Sequence, residues 1–234
     1  MMDLERVNAY MERVKASETQ TFKPVSDKLK VGLDLGTAYI VLVVLDEENN
    51  PVACEKQAAS VLKDGVVVDY SGALRIVREL KEKLEARLSG LELLNCAIAM
   101  PAGTESSART HQHVAEGAGF EVTNVLNEPT GGTHVTLVLA GNYHIPFAEA
   151  EQIKQDYKRH REILPVVRPV VEKMASIVGR YINRDEIDTI YLCGGTCCLT
   201  GIEQIFEKQT SIRTIKPADP FLVTPAGIAM NCKI

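Results

Sequence analysis

Asp34-Leu35-Gly36-Thr37 is the stretch whose residue types first suggest chemistry. Residues 30–37 and 39–46 read as two strands rich in Val, Leu and Ile, joined by a short Gly36-Thr37-Ala38 corner. Glycine lets a ligand come close to the backbone. Successive amides and a Thr hydroxyl at such a corner can bind phosphate oxygens. A buried Asp beside them needs a cation or donors to satisfy it. Mg²⁺, which keeps several of its waters, answers that need together with a phosphate. The same four residues also read as a plain β-hairpin turn.

Three further stretches carry chemical potential. In Val125-Leu126-Asn127-Glu128-Pro129-Thr130, a carboxylate just beyond a strand is held by a proline. Glu128 could orient an attacking water there, or stand as a surface Glu in a turn. In Ile190 to Gly201, a strand runs into Gly194-Gly195 and then into a helix. The glycines allow flat approach of a base or ribose, and a helix start favours anions; a tight strand–helix connection reads equally well. In Pro225-Ala226-Gly227-Ile228-Ala229-Met230, small residues on one helix face allow close packing, a structural role in either reading.

Other reactive residues fit blander roles. Six cysteines stand at 54, 96, 193, 197, 198 and 232. Cys193-x3-Cys197-Cys198 lacks a second Cys/His pair at zinc-ligand spacing, so free thiols in a reducing compartment are expected. His111, His113, His134, His144 and His160 are scattered over several elements and read as surface or core histidines.

The elements that position these residues alternate. Residues 1–20 read as an amphipathic helix, 21–29 as a linker, and 51–57 as a third strand. A helix is expected over 71–88, where Leu74, Val77, Leu80, Leu84 and Leu88 form one stripe. Strand 96–100, helix 104–118 and strand 121–126 follow. Helices are expected over 132–143, 147–160 and 163–182, a strand over 189–193, a helix over 201–208 and a strand over 211–215. The last segment, 224–232, reads as a helix with Pro225 in its first turn. Alternating strands and helices make the class α/β.

A net charge of −5 gives no electrostatic reason to expect nucleic acid as a partner. No apolar run approaches the roughly 20 residues that span a bilayer, and no hydrophobic signal core opens the chain. A cytoplasmic protein is expected.

Taken in order, these pieces resemble the motifs of the actin/Hsp70/sugar-kinase superfamily, an actin-like ATPase (ribonuclease H-like) fold of two lobes. Gly32 to Thr37 is similar to its phosphate-1 motif and Val125 to Thr130 to its first connecting segment. Tyr191 to Gly201 is similar to its adenosine motif and Pro225 to Met230 to its second connecting helix. Gly131-Gly132-Thr133-His134 and Glu149-Ala150-Glu151-Gln152-Ile153-Lys154 resemble the Gly-Gly segment and the Glu-x-x-Lys helix of chaperones and bacterial actins. The resemblance narrows to the ethanolamine-utilisation J proteins through Ala99 to Gly103, Asn127 to Thr130 and Gly131 to Thr136. It implies an N-terminal helix and linker over 1–29, a first lobe over 30–126 and a second over 127–234.

The resemblance also implies ATP and Mg²⁺ as ligands. Asp34 would hold Mg²⁺ through water, and the amides of Gly36, Thr37 and Ala38 would bind phosphate. Glu128 would position the attacking water, while Gly194, Gly195 and Thr196 would contact the adenosine. The implied role is a chaperone-like ATPase acting on ethanolamine-degrading enzymes or microcompartment proteins. A nucleotide-gated assembly factor, oligomeric or not, is the alternative. A small-molecule kinase lacks its Asp base here, and a separate peptide-binding domain is not expected. One departure stands out: Thr130 is followed at once by Gly131, where the family carries a phosphate-2 β-meander. Roughly 35–45 residues are absent at that junction, from the length three strands need at ~3.3 Å per residue. A segment missing from the sequence given is favoured over a true deletion, because losing central strands would bare the second lobe's helices.

Overall fold

Val31, Leu33 and Leu35 point to one side of a strand and Gly32 to the other, and the fold grows from that alternation. The structure is a computed structural model that describes residues 4–63, 66–101, 105–128, 132–183 and 186–234. The chain divides into two units, Ala9–Thr130 with Leu222–Ile234, and Met1–Asn8 with Gly131–Phe221. The Thr130–Gly131 junction, with its expected missing segment, lies outside the described residues.

Helix α1 (Leu4–Ala16), of which the residues from Ala9 fall in the first unit, leads by a linker to that unit's β1 (Leu29–Leu35), β2 (Tyr39–Asp46) and β3 (Pro51–Ala58). A minimal ribbon of β4 (Leu62–Lys63) and β5 (Val66–Val67) precedes α2 (Tyr70–Arg87). Then come β6 (Asn95–Pro101), α3 (Glu105–Gly117) and β7 (Glu121–Glu128). The sheet order is β3-β2-β1-β6-β7. β1, β2 and β3 form an antiparallel meander, whereas β6 and β7 run parallel to β1.

Both faces of this sheet are covered, which is why β1 and β2 read as nearly unbroken apolar runs. Val31, Leu33, Ile40, Leu42, Cys96 and Ile98 pack with Ile76, Val77, Leu80 and Leu84 of α2 and with Val114 and Ala115 of α3. The Asp69 side chain caps α2 by accepting from Gly72 N–H at 2.9 Å. On the opposite face, Ala97 and Ala99 meet Ile228 and Cys232.

The second unit contains α4 (Gly132–Tyr143), α5 (Phe147–Gln155), α6 (His160–Tyr181), β8 (Thr189–Tyr191), α7 (Ile202–Thr210) and β9 (Arg213–Ile215). Its core joins Val135 and Leu139, Ala150, Ile163, Val167 and Val171, and Ile202, Ile205 and Phe206. β8 and β9 pair in parallel as a two-stranded sheet among the described residues.

Three expectations are corrected. The helix expected over 147–160 breaks at Asp156, whose backbone is extended and whose carboxylate accepts from Lys158 N–H at 3.0 Å. A 3-10 turn, Tyr157–Arg159, follows, and α6 begins at His160. The last helix, α8 (Pro220–Met230), starts at Pro220, so Pro225 sits inside it rather than in its first turn. Residues from Leu222 onward belong to the sheet unit, not to the second lobe that sequence order suggests. The reason is packing: a Cβ on Gly32 would lie 2.4 Å from both Pro225 O and Ala229 N, so α8 rests directly on β1. Among the described residues, no helix is long and apolar enough to cross a membrane.

Candidate functional site

Parallel register aligns the carboxyl ends of three strands. Leu33 lies beside Ile98, and Ile98 beside Val125, so Asp34 and the backbone of Glu128 approach the same edge of the sheet. Two strand spacings of ~4.8 Å separate β1 from β7, about 10 Å in all. Ligands of open α/β sheets bind beyond such carboxyl ends. The Glu128 side chain lies outside the described residues.

The hairpin after β1 is tighter than its residue types require. The Gly36 N–H donates to Tyr39 O at 2.9 Å, and a Cβ on Gly36 would stand 2.8 Å from that oxygen. Gly36 thus serves the turn itself, and its amide is committed there in this hairpin, contrary to the expected phosphate contact. The amides of Thr37 and Ala38 donate to nothing among the described residues. Asp34 is half-buried at the foot of this corner.

In the second unit, β8 runs into a loop built on Gly194. Its φ of 99° favours glycine, and nothing among the described residues lies within 4 Å of the position a Cβ would take. The loop is pinned by Gly194 N–H to Pro220 O at 2.8 Å and Cys197 N–H to Gly194 O at 3.1 Å. Gly195 and Thr196 open the 3-10 turn Gly195–Cys198, and their amides donate to nothing among the described residues. Thr196 Oγ1 lies 2.6 Å from where a Cβ on Gly132 would be, so the start of α4 abuts this loop.

A polar network that the site residues expected from sequence did not include adjoins that contact. Lys154 Nζ pairs with Glu151 Oε2 at 2.7 Å and donates to Thr136 Oγ1 at 2.8 Å. Thr136 in turn donates to Glu151 Oε2 at 2.5 Å. Burial would raise the Glu151 carboxyl, but the Lys154 ammonium and bonds from Lys154, Thr136 and Gln155 hold it below the ordinary carboxylate range. The Glu-x-x-Lys spacing was the available sign of this network: three residues apart on α5, both side chains share one face.

His160 is buried at the first position of α6 and also joins this region. Its ring reaches Lys154 O at 3.1 Å through Nε2 and the Thr200 N–H at 3.1 Å through Nδ1. Among the described residues, no three His, Cys, Asp or Glu side chains converge as metal ligands.

A family model for type IV pilus assembly protein PilM matches residues 121–228. Ethanolamine utilization protein EutJ of Salmonella typhimurium is 34% identical over 259 aligned positions, which span 94% of this chain and 91% of that protein. Since 94% of 234 residues is about 220, some ~39 of those positions fall opposite nothing in this chain. The crystal structure of EutJ from Carboxydothermus hydrogenoformans is 40% identical, with a TM-score of 0.86 over 98% of this chain and 99% of that one. MreB 5 of Spiroplasma citri bound to AMPPNP is 16% identical, with a TM-score of 0.56 over 86% of this chain and 95% of that one. That last likeness establishes the fold alone, an actin-like ATPase fold.

Proposed function

Because this chain belongs to the family of ethanolamine utilization protein EutJ, we propose that it is an ATP-binding protein of ethanolamine utilisation, acting as a chaperone-like nucleotide switch. The observation that carries this reading is the corner after β1. Among the described residues it leaves the Thr37 and Ala38 amides without acceptors, near Asp34 at the carboxyl edge of parallel strands. An anion satisfies such amides, and a cation carried with it can sit beside a carboxylate.

In this reading the corner after β1 contacts phosphate and the loop at Gly194 contacts adenosine. Thr37 and Ala38 donate to phosphate oxygens, and Asp34 holds Mg²⁺ through water. Mg²⁺, when bound, supplies charge neutralisation for the phosphates. Gly194, Gly195 and Thr196 bound the adenosine, with Lys154 and Glu151 adjoining. Glu128 orients the water that attacks the terminal phosphate. A change of arrangement between nucleotide states acts on enzymes or shell proteins of a microcompartment in the cytoplasm. The EutJ relatives support the ethanolamine context, and the AMPPNP-bound MreB supports an ATP-type ligand.

Isothermal titration with Mg-ATP tests the reading: saturable heat is expected between micromolar and millimolar ligand, and no heat over that range refutes it. Hydrolysis left unchanged by Glu128→Ala removes Glu128 from its role. The assembly-factor alternative draws on Ile177 and Tyr181, one turn apart on α6 and 43% and 86% exposed. ATP-dependent sedimentation of the protein separates it from the chaperone reading.

A further inference from the structure

His160 begins α6, yet its ring serves two other elements. A backbone amide can only donate, so the Thr200 N–H at 3.1 Å requires a lone pair on Nδ1. The proton then sits on Nε2 and points to Lys154 O at 3.1 Å. Lys154 O is one of the last α5 carbonyls, which lack partners in the helix itself. The ring closes that helix end and, on its other side, holds the start of α7. The Thr200 hydroxyl also lies 3.0 Å from Nδ1.

Two further contacts fix the same segment. Lys216 Nζ donates to Leu199 O at 3.1 Å. Leu164, one turn after His160, lies where a Cβ on Gly201 would come within 2.8 Å. Thr200 therefore has little freedom, and it terminates the loop that begins at Gly194. Lys154, whose carbonyl the ring holds, carries the ammonium paired with Glu151 beside Gly132 and Thr196.

We propose that His160 is a positioning residue for the adenosine side of the nucleotide site: it ties the end of the Glu151–Lys154 helix to the Gly194–Thr200 loop, so that the two hold one geometry. This inference rests on the nucleotide-binding reading. A phenylalanine in its place would fill the volume and leave Lys154 O and the Thr200 N–H without partners.

The device has a protonation signature. A second proton on the ring turns Nδ1 into a donor facing the Thr200 N–H, donor against donor. The charged groups around the ring are Lys154 and Asp156 at the end of α5, Lys216 after β9, and Glu203 of α7, which pairs with Lys216 at 3.0 Å. Burial, helped by the Lys216 charge, keeps the imidazole below its ordinary value against the Lys154 bond and Asp156. The neutral ring, and with it the joined geometry, thus belongs to neutral pH, and acid releases it.

Mg-ATP titration of the whole protein and of His160→Gln and His160→Asn, from about pH 7.5 to 5.5, tests this across the imidazole range. Each variant keeps only one of the two contacts, so affinity should fall about tenfold at the upper pH, the cost of one or two buried bonds. The ratio of unaltered to variant affinity should shrink toward one as pH falls, since titration of the phosphates is common to all and cancels. Variants that bind with equal affinity throughout, or that melt earlier with a pH-independent ratio, overturn the proposal. If both variants fail to fold, adenosine, which carries no phosphate, serves as probe for the unaltered protein. Affinity flat over the range overturns the inference, and a loss of threefold or more supports it. No binding of Mg-ATP by the unaltered protein would end the nucleotide reading and this inference with it; the other failures end this inference alone.

Discussion

Gly32 opens the phosphate-like motif, yet its job is structural, and Gly32→Ala measures that. The new Cβ would lie 2.4 Å from Pro225 O, 2.4 Å from Ala229 N and 2.9 Å from Ala229 Cα. These are backbone atoms of α8, so no side-chain rotation relieves the contact. Restoring an ordinary separation of about 3.5 Å moves the helix by about 1 Å. Such a gap forfeits a quarter to a half of each affected dispersion contact. The contacts at risk are those of Ala226, Ile228 and Ala229, exposed by only 2%, 1% and 0%. Overpacking of this kind costs about 1–3 kcal/mol. Against it, alanine recovers about 0.5–1 kcal/mol of backbone entropy relative to glycine in a strand. A net loss of about 1–2 kcal/mol lowers the melting temperature by about 2–8 °C for a protein of this size. Circular dichroism melting reads this directly. An unchanged melting temperature would refute the close seating of α8 on β1.

Other outcomes follow from single groups. Arg87 donates to Ser17 O, Glu18 O, Gln20 O, Cys54 O and Glu55, pinning the segment after α1; Arg87→Ala should cost about 2–4 kcal/mol and speed proteolysis within residues 17–25, with Lys rescuing little. Glu151 and Asp46 have carboxyls held below their usual values, Asp46 by bonds from Asn50, Val25 and Glu48 that outweigh its burial. Their contribution is present above the unfolded carboxylate range and is lost as pH falls below about 4.5, so Glu151→Gln should flatten the acid limb of a stability–pH curve measured by urea unfolding. A thiol reagent should label Cys193 and Cys198 first, because both are exposed, while Cys54, Cys96 and Cys232 wait for unfolding; burial pushes Cys54 up to about 12. Rapid labelling of Cys54 in the folded protein would refute that order.

Much of the sheet unit was legible because its periodicities are strong. The runs of β1 and β2 and the Leu stripe of α2 follow from apolar pattern, whereas the parallel pairing of β6 and β7 comes from the structure. The break at Asp156 was harder to see, since α5 and α6 carry compatible helical residues on both sides. The local bond from Lys158 N–H to the Asp156 carboxylate marks the turn, and residue types alone do not reveal it. The start of α8 was misplaced because Pro225 reads as a helix opener, whereas Pro220 fills that role. His160 was legible only as one histidine among five, since its partners stand 6 and 40 residues away.

The glycines of the motifs divide by what touches them, and that division decides how far each motif bears on function. Gly32 and Gly36 are required by neighbouring backbone: α8 in one case, Tyr39 O in the other. A protein without any ligand would need both. Gly194 differs, because its left-handed φ faces open space. Its backbone bonds to Pro220 O and from Cys197 N–H hold the turn, and the next two amides lack partners among the described residues. An ordinary hairpin or strand–helix connection would account for the first two glycines but not for amides at Thr37, Ala38, Gly195 and Thr196 that have no acceptor among the described residues. At each loop those donors, more than the glycines that drew attention to them, are what a hydrogen-bonding ligand would satisfy.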